Sequence, residues 1–357
     1  MLLQIKKLSD SEIPALIDCI KRIMREEESH NSQNFTDNKW QWQYSKLPSS
    51  NSQIFVISDD NRILGYYHIV LYHGYLMGEN QLFAMVQDVA ISKELRGQGK
   101  FRELSDFANN FIALNFPDVI SYTFPNDKSI HTFIKYNNYK IVDTLPSWFQ
   151  PLKSYNIIKH KLPIGGRLIS LLLDKITYIK IRKLKGNSEI KRTELNPVFC
   201  SIFNDYSSKQ NLSIRRDFNY LKWRYNDKPS SDHHYYSLLN NGKVTAGLII
   251  KIDTIMGAKC AIVMDFAYSE GNETDLRNLI SNVGIFVRKT QLLNIAGVFV
   301  STSKNLNQIF GLDGYIKIPD FANPRPLNLL FKNTADQNLK FEDIKNWHIT
   351  LSDWDVL

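Results

Sequence analysis

The 357-residue sequence is poor in cysteine, with only Cys19, Cys200 and Cys260. They lie far apart, are odd in number and form no Cys-x-x-Cys pair, which argues against a disulfide scaffold and a cysteine-built zinc site. Long apolar runs are also missing, none reaching the ~18 residues a membrane-spanning helix needs. The opening Leu2-Leu3-Gln4-Ile5-Lys6-Lys7 is too short in apolar length, and charged too early, for a signal peptide. A reducing cytoplasm is the expected compartment, with no stable membrane insertion and no metal. Helix-turn-helix, zinc-finger and RNP-type aromatic signatures are absent, so nucleic acid is not an expected partner.

What is present is a globular balance, 43% hydrophobic and 22% charged residues. The length predicts two domains, each able to bury a core. The 44 Lys and Arg against 36 Asp and Glu leave a net charge of +8. A positive field concentrates anionic small molecules, although Lys-rich composition alone also produces it.

The patterning alternates strands and helices. Leu2 to Leu8 reads as a strand, Ile13 to Glu28 as a helix, and Asn31 to Asn38 as loop, followed by Trp40, Trp42 and Tyr44 at alternate positions. Strands are predicted at 54–57, 63–70, 83–91, 119–123 and 139–142, with helices over 101–114 and 129–136. One pattern occurs twice: Trp42-x-Tyr44-x-x-x-Pro48-Ser49-Ser50 returns as Trp223-x-Tyr225-x-x-x-Pro229-Ser230-Ser231, at a constant offset (223 − 42 = 181, 225 − 44 = 181, 229 − 48 = 181). Val86-x-Asp88 returns as Val263-x-Asp265 (265 − 88 = 177). The chain therefore reads as a tandem duplication of one α/β unit with a mixed sheet. The expected boundaries are 1–150, a connecting segment 151–195, and 196–357. Within the connection, Arg167 to Ile176 is apolar on one helical face and basic near its end. Such a helix either lies on a membrane surface or packs its Leu/Ile face on a domain, and the packed arrangement is the expectation.

The chemistry concentrates in Arg96-Gly97-Gln98-Gly99-Lys100-Phe101, between an apolar strand and an apolar-faced helix. A helix N-terminus offers unpaired N–H groups and the positive end of the dipole. Two glycines bring that backbone close to a ligand, and Arg96 and Lys100 add charge, which together suit a pyrophosphate. The loop is neither a P-loop, lacking Gly-Lys-Ser/Thr, nor a Rossmann fingerprint, since position 102 is Arg. The second copy has Ser269-Glu270-Gly271-Asn272-Glu273-Thr274-Asp275 at the matching place, an acidic turn that repels phosphate. One anion site per chain is expected, in the first half.

The order strand, Arg-Gly-x-Gly, helix, short strand, Asn, short helix resembles the GNAT acyltransferase superfamily, whose motif is Arg/Gln-x-x-Gly-x-Gly/Ala. Arg96 and Gly99 match it, Gly97 is a common addition, and Phe101 departs from the usual small last residue. The resemblance implies two tandem GNAT-like domains, the second degenerate, and acyl-CoA as co-substrate. It implies that the backbone at Val89, Ala90 and Ile91 pairs with the pantetheine arm and that Asn126 bonds it. The family's general-acid tyrosine falls at Phe133, which has no proton to give; Tyr136 or His131 could replace it, or the thiolate could leave unaided. The common base position falls at Met85, leaving Asp88 and His30 as candidates. Over nearly the whole chain, the repeated Trp-x-Tyr-x-x-x-Pro, Asp217-x-x-x-Leu221-x-Trp223-Arg224-Tyr225 and Trp347-x-x-Thr350-x-x-Asp353-x-Asp355 look like bacterial tandem-GNAT proteins of surface-polysaccharide synthesis, including sugar N-acyltransferases. That implies a nucleotide-linked amino sugar as acceptor, with Trp42, Trp223 and Tyr225 available for stacking and Arg215, Arg216 and Arg224 for phosphate. Core packing is the favoured role for both tryptophans, because both repeats retain them. Another small amine as acceptor, or an acyl-CoA-binding protein without turnover, are the alternatives, in a monomer or homodimer.

Overall fold

The computed structural model describes residues 3–26, 36–48, 52–60, 62–152, 155, 158, 164–180, 188–229, 232–255, 258–291, 295–300, 315–318, 326–333 and 340–354. The first half runs β1 (Gln4–Lys7), α1 (Ile13–Glu26), α2 (Asp37–Ser45), β2 (Ser52–Ser58), β3 (Ile63–Leu76), β4 (Glu79–Ile91), α3 (Lys100–Asn115), β5 (Ile120–Thr123), α4 (Asp127–Asn137), β6 (Lys140–Leu145) and β7 (Ser147–Pro151). After α5 (Gly166–Lys180), the second half runs β8 (Ser188–Thr193), α6 (Pro197–Ser208), β9 (Leu212–Ile214), α7 (Phe218–Leu221), β10 (His233–Asn240), β11 (Lys243–Ile255), β12 (Ala258–Tyr268), α8 (Glu273–Gln291), β13 (Ile295–Val300), β14 (Ile316–Lys317), β15 (Leu327–Asn333) and β16 (Trp347–His348). The mixed α/β architecture and the duplication are as the sequence predicts.

The local chemistry repeats with the fold. Thr36 caps α2, its side chain accepting from the Lys39 N–H, and Asp217 caps α7 in the same way through Tyr220. These two caps are again 181 apart (217 − 36 = 181). Trp40, Trp42 and Tyr44, which alternate in sequence, sit on a nine-residue helix that starts at Asp37, where a loop is expected. All three are buried, so this helix is enclosed on several sides and shows no amphipathic period.

Two sheets form, ordered β1-β2-β3-β4-β5-β15-β6 and β14-β7-β13-β12-β11-β10-β8. Each therefore contains a strand from the other half. β15 lies antiparallel between β5 and β6, and β7 lies between β13 and β14. β9 also reaches over to pair with β3, where a side chain on Gly74 would strike the Ser213 carbonyl and the Phe83 ring. The two halves thus complete each other's sheets.

The repeats meet face to face. The Trp42 and Trp223 rings stack, 5.0 Å between centroids and 18° apart in plane. Each indole N–H donates to the other residue's carbonyl, at 2.7 and 2.9 Å. Beside them Arg216 is fully buried, donating through Nε to Asp265 Oδ2 at 3.3 Å and through Nη2 to Asp353. Burial pushes the Asp265 carboxyl up to about 6, against the pull of the guanidinium.

The connecting helix α5 reverses its expected orientation. Ser170 and Thr177 face the protein and are buried, while Leu168, Leu171, Leu172, Ile176 and Ile179 are exposed. The face that packs is the one with small side chains, which lets the helix sit close to its support.

Trp42→Ala is expected to cost ~3–5 kcal/mol of stability in denaturant unfolding, as buried Trp truncations do. Arg216→Leu is expected to cost a similar ~3–5 kcal/mol, because two buried carboxylates lose their counter-charge.

Candidate functional site

The loop after β4 begins with Ser92, whose N–H donates to the Leu64 carbonyl, and passes through a short turn at Lys93–Leu95. Gly97 and Gly99 both hold φ of +75°, the left-handed region where a side chain is strained, and a Cβ at either would meet nothing within 4 Å. The glycines thus answer to backbone shape and leave open space over the loop. Gly99 caps α3, and its carbonyl accepts from the Glu103 N–H. The loop's side chains turn away from that space: Gln98 donates back to the Glu94 carbonyl at 2.6 Å, and Phe101 packs against the Tyr67 ring at 6.2 Å. Arg96 is exposed and reaches the Ile91 carbonyl at 3.4 Å, while Lys100 pairs with Glu103 at 2.8 Å. What remains presented is backbone N–H at a helix N-terminus, a cradle suited to a diphosphate.

Beside the cradle the sheet opens. β4 and β5 pair in parallel only from Phe83↔Ile120 to Val86↔Thr123. Thr123 closes that ladder by donating its hydroxyl to the Val86 carbonyl at 2.9 Å. Beyond it, among the described residues, Gln87 to Ile91 have β3 on one side and no strand on the other. A bulge sits at this point, Tyr67↔Val89 and Ile69↔Val86 leaving Gln87 and Asp88 opposite His68 alone. Bulges re-aim side chains and end pairing, and this one does both.

The bulge collects a polar cluster on the face of the sheet covered by α2. The Tyr44 hydroxyl donates to Asp88 Oδ2. Gln43 donates to the Tyr44 oxygen and to Gln87 Oε1, each at 3.1 Å, and Gln87 donates to the Tyr72 hydroxyl at 3.1 Å. His68 is fully buried among the Trp40, Tyr44 and Tyr66 rings, and neither ring nitrogen has a hydrogen-bond partner. Burial holds its imidazole down to about 3. Tyr44, Gln43, Gln87 and His68 are not evident as site residues in the sequence. The repeat carries their one signal, since Tyr44 and Asp88 return together as Tyr225 and Asp265, and buried Tyr225 feels the Asp265 charge.

Several expected site residues lie elsewhere. Trp42 and Trp223 stack on each other in the core, and Tyr225 is buried beside them, so none presents a face to a nucleotide. Arg216 is committed to Asp265 and Asp353, and buried Arg224 donates to the Trp354 carbonyl, so neither is offered to phosphate. Their sequence signal comes from the duplication seam. Arg215 is half-buried over the Tyr75 ring at 5.3 Å and bonds Asn80. Phe133 is buried against Tyr139 rather than lining a ligand. Tyr136 and His131 are exposed on α4, with Arg102 and Lys135 over the Tyr136 ring. Asn126 caps α4, its Oδ1 accepting from the Ser129 N–H at 3.1 Å. His30 lies outside the described residues. A cleft of about 540 Å³ next to the loop is lined by Arg22, Arg25 and Arg62, but Glu26 and Glu94 balance Arg22 and Arg62. Among the described residues no three His, Cys, Asp or Glu side chains gather as metal ligands, and no helix is long and apolar enough to cross a membrane.

The second sheet has a comparable bulge, between Ile249 and Ile250 against Asp265 and Val263. Its following turn has a single left-handed glycine, Gly271, and leads into a helix with Glu273 and Asp275 in the first turn. That end is negative and carries no cradle.

Residues 4–130 match the Acetyltransferase (GNAT) domain. Solved structures extend the likeness of fold to nearly the whole chain. A GCN5-related N-acetyltransferase from Anabaena variabilis aligns over 94% of this chain and 73% of its own, with TM-score 0.63 and 12% identity. A probable N-acyltransferase from Enterococcus faecalis aligns over 93% of this chain and 72% of its own, with TM-score 0.64 and 14% identity. A tandem GNAT protein from the clavulanic acid biosynthesis pathway aligns over 94% of this chain and 100% of its own, with TM-score 0.57 and 8% identity. The fold is thus the GNAT fold, present in tandem. No curated protein matches the chain.

The buried imidazole makes stability pH-dependent. His68 stays neutral when folded down to about 3, whereas the unfolded chain protonates it below 6.5. The unfolded state then binds more protons, so stability is lost as pH falls through that window, by up to about 1.4 kcal/mol per pH unit for one group. His233, also held down to about 3 by burial, adds to the same slope. His68→Phe is expected to flatten the slope of unfolding free energy between pH 6.5 and about 4; an unchanged slope would show that His68 titrates normally.

Proposed function

We propose that the chain is an acyl-CoA-dependent N-acyltransferase with one coenzyme A site, at Arg96 to Phe101, and that its acceptor is the amine of a nucleotide-linked amino sugar. The observation that carries the first part is a left-handed double-glycine cradle at a helix N-terminus, adjoining the open edge of β4 at Gln87 to Ile91. The cradle suits the diphosphate, and the strand edge offers the pantetheine arm the backbone hydrogen bonds a missing strand would make. Asn126, at the head of α4 and three residues after β5 ends, is the proposed side-chain contact to the same arm.

Asp88 is the proposed base. Its repeat partner Asp265 separates the structural role from the chemical one. Asp265 is fully buried and ion-paired to Arg216, but the position matching Arg216 is Phe35 (216 − 181 = 35). Asp88 accepts from the Tyr44 hydroxyl and is only half-buried beside the open edge of β4. A carboxylate so placed takes the proton of the incoming ammonium. The amine then attacks the thioester carbon, a backbone N–H of Val89 to Ile91 stabilises the oxyanion, and the C–S bond breaks to release the thiolate. Tyr136 and His131, both exposed on α4, are the proposed sources of its proton. Tyr44 orients Asp88.

The sugar acceptor is supported by the net charge of +8 and by the whole-chain resemblance to surface-polysaccharide acyltransferases. Since Trp42, Trp223, Arg216 and Arg224 belong to the core, the nucleotide is recognised by other residues. A panel of nucleotide-linked amino sugars against aminoglycosides and amino acids, scored by thiol release, tests the acceptor.

Coenzyme A is expected to raise the unfolding temperature of the protein, and Gly99→Glu to abolish that rise by straining the left-handed position and placing a negative charge at the cradle. Asp88→Asn is expected to lower kcat by ~10²–10⁴-fold while retaining the coenzyme A shift. Undiminished turnover in Asp88→Asn would remove it as the base.

A further inference from the structure

The helix α5 runs against the hydrophobic effect. Its buried stripe is Gly166, Ser170 and Thr177, while Leu168 is 69% exposed, Leu172 62% and Ile179 73%. Leu171 and Ile176 complete the outward face. On a 3.6-residue helix these five fall within one broad stripe opposite Ser170 and Thr177. Contiguous exposed apolar surface on this scale marks an interaction site. The inward stripe holds the helix to the protein with small side chains, and among the described residues the apolar stripe is left exposed.

We infer that this face docks the protein on an anionic membrane surface. The charge of the helix decides between a bilayer and a second copy of the chain. Arg167, Lys175 and Lys180 stand against a single acid, Asp174, and Arg167 and Lys175 are exposed. The sequence then continues Ile181-Arg182-Lys183-Leu184-Lys185, adding three cations and no acid. A second copy would bring the same excess of cations against this helix, Arg167, Lys175 and Lys180 against one Asp174 on each side. An anionic headgroup layer meets them with the opposite charge, while the leucines and isoleucines enter the acyl boundary. Lys175 lies within the apolar stripe, and its four-carbon stem carries the ammonium out to the phosphates. The net charge of +8 favours the same approach. The helix has 15 residues, too few to span a bilayer but enough to lie along its surface.

The test uses the full-length protein with sedimented vesicles of phosphatidylcholine, alone or mixed with phosphatidylglycerol. Binding is expected to the mixed vesicles, to fall about tenfold or more on pure phosphatidylcholine, and to weaken similarly with added salt. Leu172→Asp with Ile179→Asp is expected to abolish it, and Arg167→Glu with Lys175→Glu to reduce it about tenfold or more. All four positions are exposed, so thermal unfolding should be unchanged and serves as the control for folding. No binding to the mixed vesicles, or binding that survives Leu172→Asp with Ile179→Asp, overturns the inference. So does a concentration-dependent dimer that this double substitution converts to monomer, which would assign the face to a second copy.

Discussion

The reciprocal stack of Trp42 and Trp223 is the contact on which the rest of the molecule depends. Each indole satisfies its N–H on the other's backbone, so neither half can bury its own tryptophan without leaving a polar group unpaired. The pair lies where a two-fold relation between the repeats would run, and the surrounding contacts obey that relation. β15 enters the first sheet as β7 enters the second. A GNAT unit ending in its own last strand would close its sheet alone; here each unit is closed by the other.

The two copies differ at the turn after their long strands. The glycine cradle is replaced in the second half by an acidic turn, and the open bulge position is filled by Arg216 reaching Asp265 and Asp353. A buried ion triad of this sort is costly to desolvate and brittle to disrupt. It suits a place whose task is to be rigid. In the first copy Asp88 accepts from a tyrosine hydroxyl, a half-buried carboxylate beside the open strand edge.

Much of this was legible in sequence. The loop stood out because two glycines with flanking cations, set between an apolar strand and an apolar-faced helix, suit an anion better than they suit core packing. The duplication stood out because Trp, Tyr and Pro keep one offset. The exchange of β7 and β15 was not legible, since strand order across halves depends on pairings more than a hundred residues apart that no local period records. Arg216 was misread for the same reason, and Trp42 and Trp223, expected to pack in the core, kept a ligand role open on sequence alone. An aromatic or an arginine has one appearance in sequence, whether it stacks on a ligand or on its own repeat. The bulge cluster of Tyr44, Gln87 and His68 was hidden because a single extra residue in β4 decides which side chains share a face. The orientation of α5 was misjudged because the period locates an apolar stripe but not the partner it turns to.

The position of β5 links the strand exchange to the candidate site. Its pairing with β4 ends at Thr123, yet it does not fray toward β4, because its other edge is held by β15 from residues 327–333. The opening beside Val89 to Ile91 therefore starts where β5 stops, with β4 held by β3 and β5 held by the second half. The second half, which has no cradle of its own, thus acts on the candidate site through the backbone of the sheet.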